Sequence, residues 1–261
     1  MEQAIEATAA ARRIVIFTGA GMSADSGIGT FRGASGARSG IFGKVALLWG
    51  GTPVGWKWTP GLVWSRFVQD FVGPIETAEP HAGHLALFKL LESSQFDSVF
   101  VITMNVDGLH QAAGFSQDHV AEVHGSVMRY RCMSCDTKLP DIVLPLDPKS
   151  QPRCTECQGR ARPDVTLFTE TLPPDEWQKA NRAVKQLKRG DVVIVAGTSS
   201  VVYPAASLPE IAQHRQGATI IEFNRDFPTP LSELADVTVE GRAVETLPVF
   251  VKGVLEKMTG T

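Results

Sequence analysis

Four cysteines constrain this chain more than any other feature of it. Cys132, Cys135, Cys154 and Cys157 form two Cys-x-x-Cys pairs with 18 residues between them. Each pair suits a tight knuckle that presents two sulfurs to one tetrahedral ion. Four thiolates fill the tetrahedron and leave no open position, so the spacing predicts a structural zinc site and not a catalytic one. The segment between the pairs, Asp136 to Arg153, holds four prolines and little apolar periodicity. It has no means of folding alone, and metal would supply its order, on the order of 10 kcal/mol. Two disulfides are the competing arrangement. They need an oxidising compartment, and the N-terminus, with Glu2 and Glu6, has no signal-type apolar stretch. A cytoplasmic location is therefore the expectation.

At 261 residues the chain can bury a full core, with one large domain and a smaller appendage. A hydrophobic content of 43% beside 20% charged residues describes a soluble globular protein. The net charge of -3, with no basic run, argues against nucleic acid as a partner. The longest apolar runs have the length of strands, so no membrane span is expected.

Short β-branched runs alternate with stretches of helical spacing, which predicts an α/β fold with a parallel, doubly wound sheet. The expected strands are Ile14–Phe17, Val99–Thr103, Val120–Val123, Val192–Ala196, Thr219–Phe223 and Val237–Val239, with a short extended stretch at Val165–Phe168. Helices are expected over Glu2–Arg12, Pro60–Val72, His81–Ser94, Pro174–Lys188, Pro204–Arg215 and Glu245–Met258. Gly33 to Pro60, with three tryptophans and two prolines and no clear period, reads as a loop-rich insertion.

Gly19-x-Gly21-x-x-Ala24 follows the first strand and matches a dinucleotide fingerprint. Its glycines let the backbone approach a pyrophosphate, and a following helix N-terminus would favour the negative charge. The acidic residue that usually follows about 20 positions on is missing, because that place falls near Ser39 in the Gly-rich insertion. Four strands end in polar or glycine residues: Thr18-Gly19, Asn105-Val106-Asp107, Gly197-Thr198-Ser199 and Asn224. In an open parallel sheet the carboxyl ends of strands line the ligand crevice. His124 follows a short apolar strand and precedes a glycine, and an imidazole suits proton abstraction at neutral pH. His81, His84, His110, His119 and His214 read as structural. No Gly-x-Ser-x-Gly elbow is present, which argues against a serine hydrolase.

Together these residues resemble the sirtuin (Sir2) family of NAD-dependent protein deacylases, in its bacterial form. Gly19-Ala20-Gly21-Met22-Ser23-Ala24-Asp25-Ser26-Gly27-Ile28, continued by Phe31-Arg32-Gly33, looks like the first signature. Asn105-x-Asp107-x-Leu109-His110 resembles the second and Val123-His124-Gly125 the third. The cysteines, Arg162-Pro163 with Phe168 and Glu170, Gly197-Thr198-Ser199 and Asn224 follow in the family's order. The resemblance implies a Rossmann-like NAD-binding domain from residues 1–33, 81–128 and 161–261. It implies a smaller domain formed by insertions, with a helical part at 34–80 and a zinc part at 129–160.

It also implies the chemistry. NAD is a cosubstrate, held by Gly19, Ala20, Gly21, Met22, Asp25, Phe31, Arg32, Met104, Asn105, Val106, Asp107, His124, Gly197, Thr198, Ser199, Asn224 and Ala243. Asn105 and Asp107 would hold the nicotinamide end. Phe31 would shield the ribose once nicotinamide leaves, and Arg32 would lie by the phosphates. An acylated-lysine protein or peptide is the partner, and its acyl oxygen would attack the ribose. His124, with Asn105 the catalytic residue, would take a proton from a ribose hydroxyl, giving free lysine, nicotinamide and O-acyl-ADP-ribose. Val165, Leu167 and Phe168 would meet the peptide, and Phe67 and Asp70 the acyl group. A mono-ADP-ribosyltransferase or NAD hydrolase on the same scaffold is the alternative.

The chain departs from the family pattern in places. Met104 stands where the family usually has Gln, and a thioether cannot replace an amide donor to a ribose hydroxyl. Thr169 replaces the glycine of the usual Phe-Gly-Glu, and Gly29 replaces a residue that is often proline or charged. Desuccinylase-type members carry a Tyr and an Arg where this chain has Phe67 and Asp70, so a neutral acyl group is expected.

Overall fold

Residues 1–29, 49–198 and 200–260 are described by the computed structural model of the chain. Phe31, Arg32 and Ser199 lie outside the described residues. Successive residues of a strand point to opposite faces, so an unbroken apolar run is stable only when both faces are covered. β1 (Arg13–Thr18) meets that condition. Ile14 and Ile16 pack with the helices Glu2–Ala10, Ala82–Glu92 and Ala243–Thr259, while Val15 and Phe17 pack with Pro174–Gln186 and Ser207–Gln216. Burying a side chain such as Phe17 completely stabilises the fold by about 2–3 kcal/mol.

β1 lies at the centre of a six-stranded sheet of order β3-β2-β1-β6-β7-β8. The other strands are β2 (Ser98–Thr103), β3 (Val120–Glu122), β6 (Val192–Ala196), β7 (Thr219–Asn224) and β8 (Val237–Glu240). All five pairings are parallel. The chain runs outward from β1 through β2 to β3 and then from β6 to β8. The order therefore reverses between β1 and β6, and this switch point opens a crevice at the strands' carboxyl ends. On the β3 edge the Glu122 amide donates to Glu176 Oε2 at 3.0 Å.

Two turns of 3-10 helix, Ala20–Met22 and Ala24–Ser26, follow β1 in place of the expected α-helix, and Gly27 closes them at φ +86. The Gly21 amide donates to the Gly197 carbonyl at 2.7 Å. A Cβ on Gly21 would stand 2.7 Å from that oxygen, and one on Gly197 would stand 2.2 Å from the Met22 nitrogen. The loops after β1 and β6 thus interlock through bare backbone, and the first is held too tightly to wind into an α-helix.

The insertion expected as loop contains the helix Pro53–Trp58, started by Pro53 and capped by Thr52, whose Oγ1 accepts the Gly55 amide at 3.2 Å. The next helix runs from Pro60 to Phe67, widens to a π turn over Val68–Val72 and resumes at Gly73–Glu76. Pro74, with no N–H to donate backward, sits at the exit of the wide turn. Of the expected stretch at Val165–Phe168 only Val165 lies in a strand, as the last residue of one that begins earlier. β5 (Ala161–Val165) pairs antiparallel with β4 (Gly125–Cys132), a strand absent from the expectations above. Trp56, Val63, Trp64, Tyr130, Leu139 and Leu167 form a third core with Cys132 and Cys154. Trp64 Nε1 also donates to the Asp147 carbonyl at 2.9 Å, joining the helical insertion to the cysteine segment.

Three histidines pack behind the first loop. His81 accepts the Gly83 amide at Nδ1 (2.9 Å) and donates from Nε2 to the Met22 carbonyl (2.6 Å). His84 is fully buried, and neither of its ring nitrogens has a partner. Burial, with His110 and His81 nearby, lowers its pKa to about 2. Burial and His81 lower His110 to about 4. Both rings are neutral in the folded protein at pH 5 and charged in the unfolded chain, whose imidazoles titrate near 6.5. Unfolding then takes up protons, so stability is present above pH 6.5 and lost as pH falls toward the folded values, at about 1.4 kcal/mol per pH unit for each proton. Urea titrations between pH 7.5 and 5 should show this slope, reduced by one proton's worth in His84→Gln. An equal slope in both proteins would rule the ring out.

A candidate active site at the switch point

The polar groups at the strand ends form one connected network. Asn105 is buried; its Nδ2 donates to the Gly19 carbonyl and to Ser23 Oγ, each at 3.0 Å. Ser23 Oγ donates to Asp107 Oδ2 at 2.7 Å, and Asp107 Oδ1 accepts the Leu109 amide at 3.0 Å. Burial pushes the Asp107 carboxyl above its ordinary pKa, against the pull of those two donors. Behind it, the Asn105 amide donates to Thr103 Oγ1 at 3.0 Å. Thr103 Oγ1 also accepts from Thr18 Oγ1, which lies 2.9 Å from His110 Nε2. Ser23, which sequence reading placed in a motif but not among the site residues, is the junction between the first loop and the second.

His124 sits half-buried between β3 and β4. Its Nδ1 lies 3.2 Å from the Met104 carbonyl, which can only accept, so Nδ1 carries the proton and Nε2 offers the lone pair. Burial lowers the imidazole's pKa, and the bond to Met104 opposes that only in part. The backbone holds the residue on both sides. The Val123 amide donates to the Thr103 carbonyl at 3.0 Å, and the His124 carbonyl accepts the Thr166 amide at 2.9 Å. Gly125 has φ +80, and a Cβ there would lie 2.0 Å from the Asp164 carbonyl oxygen. The Met104 side chain packs against the apolar cluster of Val15 and Phe17, so its backbone, not its thioether, orients His124.

On the other side of the switch point the Gly197 amide donates to the Phe223 carbonyl at 3.0 Å, and Asn224 Nδ2 to the carbonyl of the buried Thr198 at 2.9 Å. Asp25 is held by the Arg242 guanidinium, whose Nε lies 3.1 Å away, and Arg242 precedes the helix that begins at Ala243. The ion pair therefore ties the Asp25 turn to the start of that helix. Val106 enters through its carbonyl, which accepts the Val127 amide at 2.9 Å.

The four cysteine sulfurs lie within 4.8 Å of one another, at 3.5 Å for Cys132–Cys157, 3.7 Å for Cys135–Cys154 and 3.3 Å for Cys135–Cys157. A disulfide needs about 2 Å, whereas sulfurs about 2.3 Å from one ion stand roughly 3.8 Å apart in a tetrahedron. The donor set fits zinc. The two knuckles are near copies. Each ends in a left-handed residue, Asp136 at φ 61 and Gln158 at φ 61, and the leading cysteine amide of each donates five residues on, to Thr137 at 2.9 Å and to Gly159 at 2.8 Å.

Of the expected peptide-contacting residues, Phe168 is half exposed, Val165 is half-buried and Leu167 is buried in the third core. Phe67 stacks on Phe71 and meets Trp56 edge-on. Asp70 is exposed and pairs with Arg66 at 3.9 Å. Thr169 has φ +77, a conformation in which glycine is at home and a β-branched residue is strained. Thr169→Gly should stabilise the protein by about 1 kcal/mol, raising Tm by roughly 2–4 °C. A lower Tm in a thermal melt would show the strain to be absent.

The Sir2 family model matches residues 19–204. The NAD-dependent protein deacylase of Corynebacterium glutamicum is 37% identical over 97% of this chain and 95% of its own. NAD-dependent protein deacylase 2 of Pyrobaculum aerophilum is 40% identical over 96% of this chain and 94% of its own. Among solved structures, a Sir2 homolog–NAD complex superposes with a TM-score of 0.86 at 36% identity, covering 99% of this chain and 95% of the other. A Sir2–p53 peptide–NAD+ complex gives 0.76 at 30% identity, covering 100% and 99%. The chain belongs to the Sir2 family. Among the described residues no helix is long and apolar enough to cross a membrane.

Proposed function

We propose that this chain is an NAD-dependent protein-lysine deacylase. The observation that carries the reading is the His124 imidazole. Its proton is fixed on Nδ1 by the Met104 carbonyl and its Nε2 is left as a base, beside a strand-end network that ends in buried Asn105 and Asp107. That network fits a dinucleotide. The bare backbone of the Gly19–Met22 and Gly197–Thr198 loops admits a pyrophosphate, and Asp107, with Asn105 Oδ1, offers acceptors to a carboxamide N–H. NAD would supply the electrophile: the acyl oxygen would bond to the ribose carbon as the bond to nicotinamide breaks, and nicotinamide would leave. Asn105, Val106 and Asp107 hold the nicotinamide end. Thr198, Asn224 and Ala243 line the adenosine half, with Asp25 braced by Arg242. His124 Nε2 takes the proton of a ribose hydroxyl. The four cysteines hold a structural zinc.

The large domain comprises residues 1–33, 81–128 and 161–261, and the insertions 34–80 and 129–160 form the small one. Acylated protein or peptide enters along Val165–Phe168. The preference for a neutral acyl group rests on the aromatic surroundings of Phe67 and not on Asp70. The reduced thiol set suits the cytoplasm.

Mass spectrometry of acetyl-, longer acyl- and succinyl-lysine peptides incubated with NAD tests the reading. Free lysine, nicotinamide and O-acyl-ADP-ribose are expected. Transfer of labelled ADP-ribose to protein with the acyl group left in place would sink it in favour of a mono-ADP-ribosyltransferase. Met104→Gln should raise turnover about tenfold by restoring one hydrogen bond to the ribose. It should also lower Tm, because an amide replaces a thioether packed on apolar side chains. Unchanged turnover would mean that the ribose does not meet this side chain.

A further inference from the structure

The chain that follows β5 is built around a nearly buried ion pair that the reaction above leaves without a role. The Arg162 side chain is 7% exposed. Its Nη2 donates to Glu170 Oε1 at 2.7 Å and its Nη1 to the Val165 carbonyl at 3.1 Å. The other Glu170 oxygen accepts the Leu167 amide at 3.0 Å, and the Glu170 amide donates back to the Leu167 carbonyl at 3.0 Å. Arg131, paired with Arg162 across β4 and β5, brings its Nη2 to 4.0 Å from Glu170 Oε1. Inside this closed turn stands Thr169 at φ +77. A strained conformation of this kind persists only where the surroundings over-determine it, and it gathers at ligand clamps. On either side the Thr166 amide reaches the His124 carbonyl at 2.9 Å, and the Phe168 amide reaches the Gly51 carbonyl at 2.7 Å. The stretch is a bridge between the His124 segment and the helical insertion, and Arg162 with Glu170 sets its shape.

We propose that Arg162 and Glu170 are positioning residues for the acyl-lysine substrate. They force the Leu167–Glu170 turn into its left-handed form and so set Val165–Phe168 against the peptide backbone. The proposal rests on the deacylase reading above. Charge alone does not satisfy the geometry. The two carboxylate oxygens accept from two different donors, and a glutamine offers one acceptor and one donor in their place.

The experiment compares two substrates in Glu170→Gln: a peptide with several residues on each side of acetyl-lysine, and a single acetyl-lysine with blocked ends. The ratio of kcat/KM for the peptide to that for the blocked amino acid should fall about tenfold, through the peptide's KM more than through kcat. Adding Thr169→Gly should recover part of that loss, because glycine takes the left-handed turn without enforcement. If Glu170→Gln does not fold, Arg162→Lys is read in the same way. It keeps the charge opposite Glu170 and loses the fork that also reaches Val165, so a smaller fall of the same ratio is expected. An equal loss on both substrates, or an unchanged peptide KM, overturns the proposal. Absence of NAD-dependent deacylation in the unaltered protein overturns the reading on which it rests.

Discussion

His124→Ala should lower kcat/KM for acyl-lysine peptides by about a thousandfold, within the 10²–10⁴ range of a positioned general base, and should leave Tm within a few degrees. The chemical loss follows from the tautomer. With Nδ1 donating to the Met104 carbonyl at 3.2 Å, Nε2 is the only lone pair the residue offers, and alanine has none. The fold is spared because what fixes this segment is main chain. The Thr166 amide still finds the carbonyl of residue 124, and the Val123 amide still finds Thr103. The pH profile should agree. Burial lowers the imidazole's pKa, so the base stays neutral to more acid pH than an exposed histidine would. The acid limb of kcat/KM should therefore lie below pH 6.5. A variant that keeps its activity, or one that unfolds, would remove His124 from this role.

Loss of the proposed zinc has the largest expected effect on stability. Chelation, or Cys154→Ala, should unfold the smaller core, at a cost on the order of 10 kcal/mol. Cys154 and Cys132 are buried within that core beside Trp56, Trp64 and Tyr130, whereas Cys135 and Cys157 are exposed. The sheet should survive, because neither of its two apolar layers includes a cysteine. Colorimetric zinc release, read beside tryptophan fluorescence and far-ultraviolet circular dichroism, checks the expectation. One zinc should leave per chain, with the change in tryptophan emission much larger than the loss of helix and strand signal. A Cys154→Ala protein whose Tm matches the parent would refute it.

The parallel strands were legible because burial on both faces demands uninterrupted apolar residues, and Ile14–Phe17 and Val192–Ala196 show that directly. The cysteine cluster was legible because its ligands are local within each knuckle. β4 was not. Its partner β5 begins beyond the whole cysteine segment, and its mixed run Ser126-Val127-Met128-Arg129-Tyr130 has an irregular register. The helix Pro53–Trp58 did carry a signal, Thr52 followed by Pro53, hidden among glycines. The turns at Ala20–Ser26 carried none, since what prevents an α-helix is Gly197, far along the chain. Ser23 and the Arg162–Glu170 pair share that property. Their importance lies in what they touch, and the sequence does not say what that is. Asp70, placed by the acyl group through the resemblance, is exposed in the fold and pairs with Arg66, a neighbour that the helical spacing already offered.

The outer strands of the large sheet are short, three residues in β3 and four in β8. At β3 the Glu122 amide is already occupied by the Glu176 carboxylate. A neighbouring molecule's backbone therefore finds only a short margin at β3 on which to extend the sheet, and one of its amides is already taken.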